Sequence, residues 1–217
     1  MLACQRSAYD CAPEALRSLL AQPLPSVFER LALTPMLSVD IETTSLDVSE
    51  GHIVSIAWVP VDDERIVLAR ARHIAVRVQG EVGQSAIFHQ ITDTDMRSGS
   101  ELSSALEQFA AVATGRVLVF HNATLDMAFL GHAIMEQFGL PLLMPVIDTM
   151  AVERRRLLRQ NQTIQEGRLR LYACRRDYGL PDYPPHNALS DALATAELLL
   201  AQMVTHGVKS TRIRDFS

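Results

Sequence analysis

The stretch Leu37-Ser38-Val39-Asp40-Ile41-Glu42-Thr43-Thr44 alternates apolar and polar residues almost to its end, the period of a strand with one face in a core. Successive side chains of a strand point to opposite sides, so Leu37, Val39 and Ile41 share the core face and Asp40 and Glu42 point together the other way. Two acids on one strand face are ordinary where that face meets water. Their meaning depends on what the rest of the chain folds against them.

Two later segments supply candidates. Val117-Leu118-Val119-Phe120-His121-Asn122 is a continuous apolar run ending in polar residues, as a strand buried on both faces does. The spacing after it predicts a helix through Leu130, Ile134 and Phe138, with Thr124 as its cap and Gly139 and Pro141 closing it. Asp126 falls in the first turn, where an acid also complements the helix dipole. The third segment, Tyr183-Pro184-Pro185-His186-Asn187-Ala188-Leu189-Ser190-Asp191, leads into a helix with an apolar stripe through Leu189, Ala192, Leu193, Ala196, Leu199, Leu200 and Met203. With Asn187 as cap and Gly207 as terminator, Asp191 closes the first turn and His186 stays in the loop before it. Each acid has a bland reading of its own. Together, four carboxylates and an imidazole at the ends of ordered elements suit a phosphodiesterase that works with two divalent ions.

These segments resemble the three motifs of the DnaQ-like, DEDDh-type 3′-to-5′ exonucleases, of which the proofreading epsilon subunit of bacterial DNA polymerase III is the best-known member. The likeness covers Ser38-Val39-Asp40-Ile41-Glu42-Thr43-Thr44, His121-Asn122 with Asp126, and His186 with Asp191 and the Ala192-Leu193-Ala194-Thr195-Ala196 that follows, so it runs from about Leu37 to Met203. Ser45 stands where many members have glycine, and Leu125 where many have phenylalanine. The first matters only if that backbone needs a positive φ. The resemblance implies catalytic and metal-binding roles for Asp40, Glu42, Asp126 and Asp191. It also implies His186 as general base, and two Mg2+ or Mn2+ as cofactors. Hard oxygen donors without cysteine agree with those ions rather than zinc. Substrate contacts are expected from Thr43, Thr44, His89 and Asn122, although the two threonines can equally cap the strand end.

Composition is compatible with this reading without being diagnostic, and the length suits one domain with an extension. The chain has 217 residues and a net charge of −5, and no apolar run is long enough to span a bilayer. Its first residues lack the apolar region of a signal peptide, so a cytoplasmic location is expected. Cys4, Cys11 and Cys174 form no C-x-x-C pair and are odd in number, which argues for reduced thiols rather than disulfides or structural zinc. From Arg154 to Arg176 the chain carries eight arginines against one acid, Glu166, a local charge of +7. Such a stretch either holds a nucleic-acid backbone, with affinity falling as salt rises, or is a set of solvated helix faces.

The order of elements predicts an α/β protein. Strands at residues 37–42, 52–59 and 65–71 form a meander, a helix follows from a capping box at residues 98–101, and strands at 117–120 and 146–147 alternate with helices. By resemblance this is the ribonuclease H-like exonuclease fold, a mixed five-stranded sheet flanked by helices. Residues 1–35 are expected to form a helical extension with two short helices, at 12–20 and 26–31; residues 36–207 form the exonuclease domain and 208–217 a short tail. The leading substrate is single-stranded DNA or a DNA 3′ end, released as 5′-mononucleotides, with a DNA polymerase or repair complex as a candidate partner. RNA is the alternative within the same superfamily, and a catalytically silent scaffold is the alternative from another class. The absence of a long tail after the third motif favours a free-standing nuclease.

Overall fold

The alternating stretch forms the middle of the sheet in the computed structural model, which describes residues 8–78, 99–184, 186–207 and 210–216. Strand β1 (Met36–Thr43) runs antiparallel to β2 (Ile53–Asp62), with Asp40 opposite Ala57 and Glu42 opposite Ser55. Two short strands, β3 (Arg65–Ile66) and β4 (Arg72–Ala75), both pair antiparallel with the far edge of β2. On the other side of β1, strand β5 (Val117–Phe120) is parallel to it and β6 (Val146–Asp148) is parallel to β5.

The sheet therefore has six strands, not the five expected. The run at residues 65–71 splits around a 3-10 turn, Leu68–Arg70. Pro60 explains the break. Its carbonyl accepts from the Val67 N–H at 2.9 Å, but it has no N–H to return toward that side, so the ladder cannot continue through this pair. The chain loops out and resumes opposite Trp58 at Arg72.

Alternation along the strands sends side chains to two cores. Leu37, Val39 and Ile41 pack with α1 (Glu14–Ala21), α2 (Leu102–Ala113) and α3 (Ala123–Phe138). Met36, Val59, Val61, Val117 and Val119 pack on the opposite face with α4 (Thr149–Arg159), α6 (Ala188–His206) and α7 (Ile213–Phe216). The short helix α5 (Leu171–Asp177) sits between α4 and α6. No helix among the described residues is long and apolar enough to cross a membrane.

Flanking segments are built into these cores. Leu16 and Leu19 of α1 are buried among residues of α2 and the sheet. The second helix expected at residues 26–31 does not form. There the backbone bonds to the chain's other end instead: the Leu31 N–H donates to Thr211 O at 3.0 Å, Ile213 to Glu29 O at 3.2 Å and Arg214 to Val27 O at 2.9 Å. Ile213 and Phe216 are fully buried.

The arginine-rich stretch divides. Arg175 is fully buried, and Arg156 and Arg168 both bond to Asp177. Arg156 also holds the buried Glu153, to which the Tyr178 hydroxyl donates at 2.9 Å. These three belong to the scaffold. Arg154, Arg159, Arg170 and Arg176 are exposed.

If the last helix is a working part of the second core, Phe216→Ala costs the 3–5 kcal/mol typical of emptying a buried phenylalanine site. Urea denaturation measures it; a loss below about 0.5 kcal/mol would mean that the segment is dispensable to the fold.

Candidate active site

The carboxylates meet because β1 and β5 part company. Their parallel pairing covers only Met36, Leu37 and Ser38 against Val117, Leu118 and Val119. Beyond Ser38 that edge of β1 has no strand beside it, and its N–H groups need other acceptors. The Asp126 carboxylate takes the Ile41 N–H, and its own N–H as well. Asp126 is thereby held beside β1, near enough to act on the charges of Asp40 and Glu42 but outside the trio of closest carboxylates.

Helix α3 is aimed there by a corner at Asn122, which has φ 81° and ψ 58° and stands immediately before the first helical residue. Thr124, the expected cap, lies inside the helix. The corner is held by the Asn122 N–H, which donates to Asp148 Oδ1 at 3.0 Å. The same Asp148 caps α4 by accepting from Met150 N at 2.9 Å. Asparagine suits this position because it tolerates the left-handed region better than most residues.

Asp191 arrives from the opposite face. The Ser38 hydroxyl donates to Ala192 O at 2.7 Å, and the small residues Ala188, Ala192 and Ala196 are buried, which lets the first turns of α6 approach the strand closely. Asn187 caps that helix as expected, its side chain accepting from Ser190 N at 3.1 Å. Oxygen atoms of Asp40, Glu42 and Asp191 then lie within 4.8 Å of one another.

This proximity has an electrostatic cost. Burial, then the charges of Asp126, Asp191 and Glu42, hold the Asp40 carboxyl well above the usual carboxylate range. Glu42 is pushed up to about 7 by burial, Asp191 and Asp126. Asp126 also rises to about 7, mainly through burial, against the lowering effect of its two backbone N–H partners. Like charges this close raise each other's pKa because the second cannot ionise without repulsion. A divalent cation relieves that repulsion, and an all-carboxylate donor set suits a hard ion such as Mg2+ or Mn2+. Asp40, Glu42 and Asp191 fit a hard divalent ion of the kind expected from the sequence.

His186 sits at the mouth. Its side chain is exposed, its backbone has φ 66°, and its N–H donates to Asp191 Oδ2 at 3.1 Å. A non-glycine residue in that region carries strain of about 1 kcal/mol, which the bond to Asp191 helps to offset. Thr43 at the end of β1 and Thr44 after it are both engaged in the turn: Thr43 Oγ1 donates to Ser45 O at 2.8 Å, and Thr44 Oγ1 accepts from His52 N at 2.9 Å. Ser45 is not among the positive-φ residues, so serine fits there without strain. His89 lies outside the described residues.

Motif reading missed Tyr172 and Arg175 as supports and gave His121 no role. The Tyr172 hydroxyl on α5 donates to Asp191 Oδ1. His121 is largely buried, with Nδ1 2.8 Å from Thr149 Oγ1 and Nε2 2.8 Å from Leu169 O, and burial keeps its pKa below the ordinary value. The neutral ring ties β5 to the loop that starts α5, and so fixes Tyr172. Arg175 on the same helix donates to Ala194 O at 2.6 Å, Pro181 O at 2.8 Å and Glu197 at 2.7 Å, which secures the start of the loop running to His186. Only the arginine-rich composition of this stretch gave a signal, and it pointed to a surface rather than to a buried strut.

The raised carboxyls predict how metal-free protein responds to pH. Its folded state keeps protons that the unfolded chain, with carboxyls near their usual values, has already released. Stability is therefore full below about pH 4.5 and is lost as pH rises through about 7. Glu42 alone, moved from 4.5 to about 7, accounts for about 3 kcal/mol, or roughly 5–10 °C in Tm. Thermal melts in chelator between pH 5 and 8 should show that fall. Added Mg2+ or Mn2+ should raise Tm more at pH 8 than at pH 5; equal effects would mean that the ions do not meet these groups.

Known proteins are similar to this chain in sequence and in fold. The chain is 28% identical over 162 residues to the PolC-type DNA polymerase III of Thermotoga petrophila, 74% of this chain but 11% of that protein. It spans about a tenth of the length of such PolC-type relatives. It is 27% identical over 185 residues to the DNA polymerase III subunit epsilon of Treponema pallidum, covering 83% of this chain and 80% of that one. Among solved structures, exonuclease X in complex with 5′ overhanging duplex DNA superposes with a TM-score of 0.63 at 26% identity, over 83% of this chain and 98% of that one. Cell-death related nuclease 4 does so with a TM-score of 0.68 at 17% identity, over 82% and 66%, which speaks to the fold alone. The family model described as the RNase T exonuclease family matches residues 37–199, most of the chain, and the protein is therefore a DnaQ-like member of that exonuclease family.

Proposed function

We propose that the protein is a metal-dependent 3′-to-5′ exonuclease that releases 5′-mononucleotides from single-stranded DNA or from the 3′ end of a duplex. The observation that carries this reading is the convergence of Asp40, Glu42 and Asp191 oxygens within 4.8 Å, with Asp126 close enough to raise the pKa of both β1 acids. A scaffold gains nothing from buried carboxylates that repel one another.

Asp40, Glu42, Asp126 and Asp191 would hold two Mg2+ or Mn2+, which when bound supply an acidified water and charge stabilisation at the phosphate. Asp40, whose carboxyl feels the charges of Asp126, Asp191 and Glu42, is the residue suited to sharing. Asp126, whose carboxylate already accepts two N–H groups, is held rigidly and suits an outer position. His186 is the general base. An imidazole titrates near working pH and can take a proton and give it up again to solvent, and the exposed position of this one leaves that route open. Asp191 serves twice, as a ligand and as the acceptor that fixes the His186 backbone. Thr43, Thr44 and Asn122 would shape the seat of the terminal nucleotide, the threonine hydroxyls through the turn that they brace. The relatives named as polymerase III components make a polymerase or repair complex the setting for such an activity.

End-labelled single-stranded DNA and RNA of one sequence, incubated with Mg2+, Mn2+ or chelator, test the reading directly. One-nucleotide steps from the DNA 3′ end in metal, and none in chelator, are expected. Steps on RNA alone would transfer the assignment to an exoribonuclease, and no cleavage of either would end it. His186→Ala should lower single-turnover cleavage by roughly 10²–10⁴-fold with metal affinity largely kept; unchanged cleavage would remove the histidine from the chemistry. Asp40→Ala should abolish metal-dependent activity, since a shared ligand is lost.

A further inference from the structure

Both oxygens of Asp191 have protein donors. Oδ1 accepts from the Tyr172 hydroxyl, and Oδ2 accepts from the His186 N–H at 3.1 Å. The donors stand on different elements, Tyr172 in the first turn of α5 and His186 in the loop ahead of α6, the helix that carries Asp191 itself. An aspartate carboxylate otherwise turns easily about its last bond, whose rotation is broad rather than staggered. Held at both oxygens, this one has a fixed plane.

The phenol is itself anchored. Helix α5 is tied at its start by His121, whose Nε2 lies 2.8 Å from Leu169 O, and one turn on by Arg175, which donates to Ala194 O of α6 at 2.6 Å. Tyr172 is half-buried between these ties. Asp191 is one of the three acids whose oxygens lie within 4.8 Å of one another, so its orientation is imposed on any ion that they share. Hard divalent ions differ in how they tolerate this. Mg2+ demands near-ideal octahedral geometry, whereas Ca2+ takes a larger and variable number of oxygens in flexible arrangements, including carboxylates that turn to offer both oxygens. A carboxylate that cannot turn meets the first requirement and denies the second ion its adaptability.

We propose that Tyr172 is a positioning residue that makes the acidic site selective for Mg2+ over Ca2+ by fixing the plane of the Asp191 carboxylate. Its hydroxyl is spent on Asp191 and acts through that ligand. The residue stands nineteen positions before the aspartate it serves, outside all three motifs, on an element whose place is set by contacts with β5 and α6. The proposal rests on the metal-dependent reading of the site and adds to it which residue chooses the ion.

Calorimetric titration of the full chain, stripped with chelator and dialysed, with Mg2+ and separately with Ca2+ reads the two affinities without any cleavage. Tyr172→Phe removes the hydroxyl and keeps the ring. It should weaken Mg2+ binding by roughly 10–100-fold, the usual loss when a partner of a metal ligand is removed. Ca2+ binding should weaken by less than about threefold, because that ion tolerates a carboxylate that turns. Tyr178→Phe is the control: its hydroxyl also donates to a carboxylate, Glu153 at 2.9 Å, and it directly follows α5, but its partner is not one of the site acids. Both affinities should be unchanged there. Equal losses for the two ions, no loss, or the same change in Tyr178→Phe overturns the proposal. A wild-type chain that binds neither ion overturns it together with the metal-dependent reading. A chain that shows the selective loss but cleaves nothing in Mg2+ keeps the role of Tyr172 and loses the exonuclease reading.

Discussion

The separation of β1 from β5 after three paired residues is the constraint on which the site depends. It leaves the Ile41 N–H without a strand partner, and an aspartate at the start of a helix satisfies it. One hydrogen-bond requirement of the sheet thus brings a third carboxylate up to the edge of the strand that carries two others. Had the ladder continued, Asp126 would have lost its anchor and the gap would have closed. Acids gathered this way are held against their own repulsion by the cores on both faces of the sheet, which neither helix can leave without exposing apolar surface.

Behind the acids stands a polar framework that connects them to one another indirectly. His121 reaches from the end of β5 to the carbonyl before α5, Tyr172 on α5 reaches Asp191, and Arg175 one turn later reaches both α6 and the chain leading to His186. Arg156 joins α4 to α5 through Asp177, and Glu153 to the same guanidinium. A buried ion pair contributes little net stability by itself, but removing one partner strands the other in a low dielectric. The geometry of the third motif therefore rests on residues that do not touch substrate.

How much of this could be read in advance depended on whether the signal was local. Alternation placed Asp40 and Glu42 together, and helix-start chemistry placed Asp191 and its cap Asn187, because both are set by backbone period and neighbouring residues. Thr124 failed as a cap since Asp148, distant in sequence, claims the Asn122 N–H and moves the corner back. The split of the third strand was written in Pro60, one strand away from where it acts. Ser26 to Leu31 read as a helix because periodicity cannot see a pairing with residues 211–214, nearly the whole chain distant. Tyr172 and Arg175 were invisible for the same reason: their partners lie on another helix.

Both ends of the described chain lie away from the acids. Ala8 packs beside Gly139 at the finish of α3, whose opening turn carries Asp126. Phe216 packs on His206 at the finish of α6, whose opening turn carries Asp191. A label attached at Ala8 or at Phe216 would therefore sit at the far ends of the helices that carry Asp126 and Asp191.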